Sequence, residues 1–101
     1  MTNQQFDLLL SRRMAMTQRV LGTKAGEYAS DSDRLHNFKR AAAMLGVTPA
    51  QACVGFLAKH LVSVLDIVDA HQLPAQAVID EKIGDCVNYL ILLEALLTEA
   101  A

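Results

Sequence analysis

Residues 81–97 read EKIGDCVNYLILLEALL, and eleven of these seventeen are apolar. Inside this hydrophobic stretch Glu81, Asp85 and Asn88 recur at i, i+4 and i+7, a spacing that puts two acids and an amide on one helical face. Upstream, Lys59, Ser63 and Asp66 repeat the same interval. If the two helices form an antiparallel hairpin, Asp66 is expected near Glu81 and Lys59 near Asn88. Facing stripes would make a polar seam in an apolar bundle. Such a seam suits Mg²⁺, which takes a few carboxylate oxygens, keeps several waters and draws its other ligands from phosphates. Asp66, Glu81 and Asp85 would supply the oxygens, Lys59 would meet a phosphate and Asn88 a base or sugar. The competing reading is that both stripes are solvated faces of amphipathic helices.

A second concentration of polar chemistry lies in KAGEYASDSDRLHNFKRAA, residues 24–42. Lys24, Glu27, Tyr28, Arg34, His36, Asn37, Lys39 and Arg40 are partners for phosphate, base or metal. Asp33 as a helix cap, Leu35 and Phe38 as core, and Lys39 and Arg40 as surface charge have structural readings. Tyr28 and Asn37 have none. His60, next to Lys59, reads first as a packed or capping histidine. Nucleophilic catalysis finds no support, because Cys53 and Cys86 fall mid-helix and no serine elbow is present. LGTKAGEY has its glycines at the wrong spacing for a phosphate-binding loop.

The elements that position these residues are expected to be helices. The chain has 101 residues, 52% hydrophobic and 5% aromatic, with five Gly and two Pro. Ala and Leu dominate and strand-forming residues are sparse, which favours an all-α fold in a single domain, residues 1–101. Four helices can be drawn. The first runs from about Gln4 to Thr23, with Phe6, Leu10, Met14 and Leu21 on its apolar side and Arg12, Arg13 and Arg19 off it. The second runs from about Arg34 to Leu45, capped by Asp31, Ser32 or Asp33 and closed by Gly46. The third starts with Thr48 as N-cap and Pro49 at the first position and runs to about Ala70. Pro74 opens the fourth, which runs to about Glu99. The short link between the last two predicts an antiparallel hairpin within a four-helix-bundle-like domain. So much apolar surface on so small a chain predicts a homo-oligomer.

Charge is uneven. Residues 1–50 carry seven basic and four acidic side chains, +3, and residues 51–101 carry two and seven, −5. That balance argues against nonspecific nucleic-acid binding. It suits a ligand between the halves, head-to-tail subunit contacts, or simply two differently solvated faces. Two cysteines outside any CxxC read as buried hydrophobes in a reducing compartment. No secretory leader is visible, and apolar runs such as Tyr89–Leu93 are too short to cross a membrane, so the expected location is cytoplasmic.

The combination K..EYAS..DRLHNFKRAA, then FLAKH, then EKIGDCVNYLILLEALL resembles a family of small, mostly phage-encoded proteins, related to the nucleotide modification associated domain 1 group, over roughly Lys24 to Leu97. That group in turn is similar to the all-α nucleotide pyrophosphohydrolases of the MazG and dUTPase type. The resemblance implies a usually oligomeric helical bundle that holds Mg²⁺ on carboxylates and cleaves nucleoside triphosphates to monophosphate and pyrophosphate. It implies Glu81 and Asp85 as catalytic, metal-holding acids, with Glu27 or Asp66 as further acids. Lys24, Arg34 and Lys59 would then meet phosphates, and Tyr28 and Asn88 the nucleoside, with Asn37 beside them. The chain lacks the superfamily's Glu-x-x-Glu pair, and its helix 4 acids are four apart rather than three. The alternative is a non-enzymatic phage counter-defence protein, one that sequesters a nucleotide signal or binds and inhibits a host defence protein.

Overall fold

The computed structural model describes residues 1–22 and 33–101, and the described residues form helices with no strand. The chain is all-α: α1 (Asn3–Leu21), α2 (His36–Leu45), α3 (Pro49–Asp69) and α4 (Gln76–Ala100). Local chemistry explains most of the boundaries. Thr2 and Gln5 form a reciprocal capping box on α1, and Thr48 and Gln51 form another on α3, with Pro49 in the first turn. Gly46 ends α2 at φ 70°, the left-handed conformation that glycine adopts without a Cβ penalty.

Two starts differ from expectation. Asp33 acts one turn ahead of α2: its Oδ1 accepts from Leu35 N at 2.9 Å and its Oδ2 pairs with Lys39 at 2.6 Å. It therefore stabilises the entry turn, and the helix proper begins at His36. Pro74 lies two residues before α4, behind an extended Ala75.

α3 and α4 run antiparallel. Cys53 Sγ donates to the Tyr89 carbonyl at 3.6 Å, and His60 Nδ1 lies 3.3 Å from Asp85 Oδ2 further along. Among the described elements, α2 packs on α3, and α1 packs on α4 alone. The core gathers Leu35, Cys53 and Leu96, with Phe38, Tyr89, Leu92 and Leu93 against them. Phe38 meets Phe56 and Tyr89 edge-on at 6.1 and 6.3 Å. By length and composition α3 could cross a membrane, yet Ala52, Cys53 and Leu57 on one of its faces are buried in this core.

α1 does not use its expected apolar side. Phe6, Leu10 and Met14 are exposed, while Thr17 is buried and Arg13 half-buried against α4. Arg12 forms an ion pair with Asp80, and Arg13 Nη1 donates to the Asp80 carbonyl at 3.2 Å. At the other end of α1, the Arg34 guanidinium donates to the carbonyls of Leu21 and Gly22. Arg34 adjoins Leu35, which packs near Leu96, so α1 runs along α4 in the same direction.

Candidate functional site

α4 has two chemically different sides. Val78, Lys82, Tyr89, Leu93 and Leu96 share the side turned to α2 and α3. Ala77, Asp80, Glu81, Gly84 and Asn88 share the side turned to α1. Between α1 and α4 this second side opens a cleft of about 440 Å³, within the range that small-molecule sites occupy. α1 contributes Arg13, Met16, Thr17, Arg19 and Val20 to its walls.

Arg13 lies across α4 at Gly84, with its guanidinium in the space a side chain there would enter. A Cβ there would stand 2.7 Å from Arg13 Nη1. The guanidinium and its neighbour Arg12 hold the Asp80 carboxyl below its ordinary range, the Arg12 hydrogen bond first and the Gln76 hydrogen bond next. Deeper in, two polar atoms have no partner among the described residues: Thr17 Oγ1 and Asn88 Oδ1. Thr17 is only 9% exposed. An unpartnered buried hydroxyl and amide are costly unless something hydrogen-bonds them.

Asp85 sits at the border between the two sides of α4. It lines the cleft and also faces His60 on α3. The His60 ring stacks on Tyr89 at 4.8 Å, which fixes the imidazole against the core. Burial first, and the Asp85 charge second, push the Cys86 thiol and the Tyr89 phenol up, and burial alone raises Cys53. Both thiols are therefore protonated and poor nucleophiles at neutral pH.

The structure brings together part of the expected site. Glu81, Asp85 and Asn88 share the α1–α4 cleft. Asp66 does not join them: it lies in a separate groove with Ser63, Val78 and Lys82, at the α3–α4 turn. The stripe of α3 therefore does not face the stripe of α4. The apolar register around Tyr89 turns Glu81 toward α1 and leaves Lys82 near Asp66. Lys59 is exposed on α3, and Asn37 is exposed in the first turn of α2. Arg34 is engaged by the end of α1. Lys24, Glu27 and Tyr28 lie outside the described residues. Among the described residues, no three of His, Cys, Asp and Glu gather as a metal site.

The spacing of polar residues on α3 and α4 could not reveal Arg13, Thr17, Arg19 or Gly84, because they depend on how α1 docks. One signal was present: Arg13, Thr17 and Val20 fall on one face of α1 at i, i+4 and i+7.

Comparison with protein-family models, characterised proteins and solved structures finds no match to the chain.

Proposed function

We propose that the chain is a nucleotide-binding helical protein of the phage-encoded, MazG-like kind it resembles, and that the α1–α4 cleft takes the nucleotide. The observation that carries this reading is the pairing, in one cleft, of Thr17 and Asn88, each with a polar atom unpartnered among the described residues, with the charged groups of Arg13, Arg19, Glu81 and Asp85. Guanidinium groups pair well with phosphate oxygens. The Thr17 hydroxyl and Asn88 amide suit the neutral hydrogen-bonding edge of a sugar or base. Glu81 and Asp85 stand one turn apart on a single wall, with no third ligand beside them among the described residues. Two carboxylates do not make a closed Mg²⁺ site, but they fit a Mg²⁺ that arrives on the ligand's phosphates. Such an ion would neutralise phosphate charge next to the two acids. Pyrophosphohydrolysis is the activity the resemblance implies, acting in the host cytoplasm.

Calorimetric titration of nucleoside triphosphates, with Mg²⁺ and with chelator, tests the reading in wild type, Asp85→Asn and Asp66→Asn. Binding that needs Mg²⁺, is lost in Asp85→Asn and survives in Asp66→Asn supports it. Chromatography of the products then decides turnover. Binding indifferent to chelator and to Asp85→Asn, with no product, supports the second reading, a sponge for a nucleotide signal. No nucleotide binding at all, with capture of a host defence protein, supports an inhibitor, a reading favoured by the large exposed apolar surface.

A further inference from the structure

Glu81 and Asp85 stand one turn apart on the same wall of the cleft, yet they are held differently. The Glu81 side chain is 64% exposed and, among the described residues, meets only its neighbour Lys82, at 3.5 Å. The Asp85 side chain is 35% exposed, and its Oδ2 lies 3.3 Å from Nδ1 of His60 on α3. The imidazole is fixed in its turn. It stacks on Tyr89 at 4.8 Å and 25°, and Tyr89 stacks on Phe56 at 6.5 Å and 24°. Phe38 braces both of those rings edge-on. A rigid aromatic column thus ends in a ring nitrogen that faces one acid of the cleft and not the other.

We infer that His60 is a positioning residue for the ligand site: its Nδ1 proton goes to Asp85 Oδ2, which leaves Oδ1 for a Mg²⁺ carried on the ligand's phosphates. The inference rests on the reading of the cleft as a nucleotide site. His60 is absent from the cleft lining, so it acts there only through Asp85. A neutral imidazole carries one proton, and a carboxylate facing Nδ1 draws it to that nitrogen, so Nε2 keeps the lone pair.

The two acids then have unequal roles. A carboxylate held in place beforehand gives up little side-chain freedom when the ligand arrives, whereas a free one must be ordered at that moment. Asp85 is the fixed anchor, and Glu81 swings in after it. Outer partners that orient a metal-binding group contribute about 10–100-fold to metal affinity. The histidine that follows Lys59 in FLAKH therefore has a task beyond packing.

Two measurements test this. The side-chain ¹⁵N spectrum of the ligand-free chain, recorded in mildly alkaline solution, reads the pair directly. The His60 proton is expected on Nδ1 in wild type, and Asp85→Asn should remove that preference. A proton on Nε2 in wild type overturns the inference, whether or not any nucleotide binds. Calorimetry at a fixed nucleoside triphosphate concentration, with Mg²⁺ varied, reads the positioning. His60→Leu keeps an apolar surface against Tyr89 and should raise the Mg²⁺ requirement by about 10–100-fold. His60→Asn sets an amide N–H close to where Nδ1 stood and should restore most of the loss. An unchanged Mg²⁺ requirement in His60→Leu, or equal losses in the leucine and asparagine variants, overturns the inference. If wild type binds no nucleotide, the reading of the cleft fails, while the pairing of His60 with Asp85 stands or falls on the ¹⁵N spectrum.

Discussion

At the scale of single residues, the cleft depends on three small choices: threonine at 17, glycine at 84 and aspartate at 85. Gly84→Ala separates stability from binding. Alanine favours a helix interior over glycine by about 1 kcal/mol. The atom it would meet is the end of the flexible Arg13 side chain. The variant is therefore expected to melt at or above the wild-type temperature while its nucleotide affinity falls several-fold. Calorimetry beside thermal unfolding checks both halves. The ion pairs set a pH dependence. Asp33, held down first by its Lys39 hydrogen bond, and Asp80, held down first by Arg12, both ionise below the ordinary carboxylate range. Their contributions are complete above an unfolded value of about 3.9 and are lost as pH falls through the folded values. Lys39, raised first by Asp33 and next by Glu99, contributes below its unfolded value of about 10.4 and loses that contribution as pH rises through its folded one. The melting temperature should thus be flat through neutrality and fall at both extremes. Asp33→Asn with Asp80→Asn should shallow the acid limb, and an unchanged limb would refute these pairings.

At the scale of elements, the helices were legible because their signals are local. Thr48-Pro49 and Gly46 announce the end of α2 and the start of α3 through backbone chemistry alone, and the structure places both boundaries there. Their strength is measurable. Thr48→Ala should cost about 1 kcal/mol through the lost cap. Gly46→Ala should cost about 1 kcal/mol by forcing a Cβ into the left-handed region. Denaturant unfolding checks each. The antiparallel hairpin was also legible, since a short link leaves little choice. What periodicity could not give was rotation. Glu81 and Lys82 are neighbours in sequence, and only the packing of Tyr89 against Phe38 and His60 decides which of them turns toward α3. For the same reason Asp66 parts from Glu81. The apolar side of α1 misled in the opposite sense. Phe6, Leu10 and Met14 mark a face that this chain leaves exposed, because α1 meets α4 through Arg13 and Thr17 instead.

At the scale of the whole molecule, the described residues leave a broad apolar surface along α3 exposed, and so large a surface on so small a chain predicts self-association. Its stability should therefore rise with protein concentration, since association favours the folded chain by mass action. Thermal unfolding at increasing concentrations checks this, and a melting temperature independent of concentration would argue against self-association. The central claim is that this cleft is the ligand site. The most direct measurement is the backbone amide spectrum of the isotope-labelled protein, titrated with a Mg²⁺–nucleotide complex. The account predicts that shifts concentrate at Arg13, Thr17, Gly84, Asp85 and Asn88 and spare Ser63, Asp66 and Ile67. Shifts concentrated around Ser63 and Asp66, or none anywhere, would contradict it.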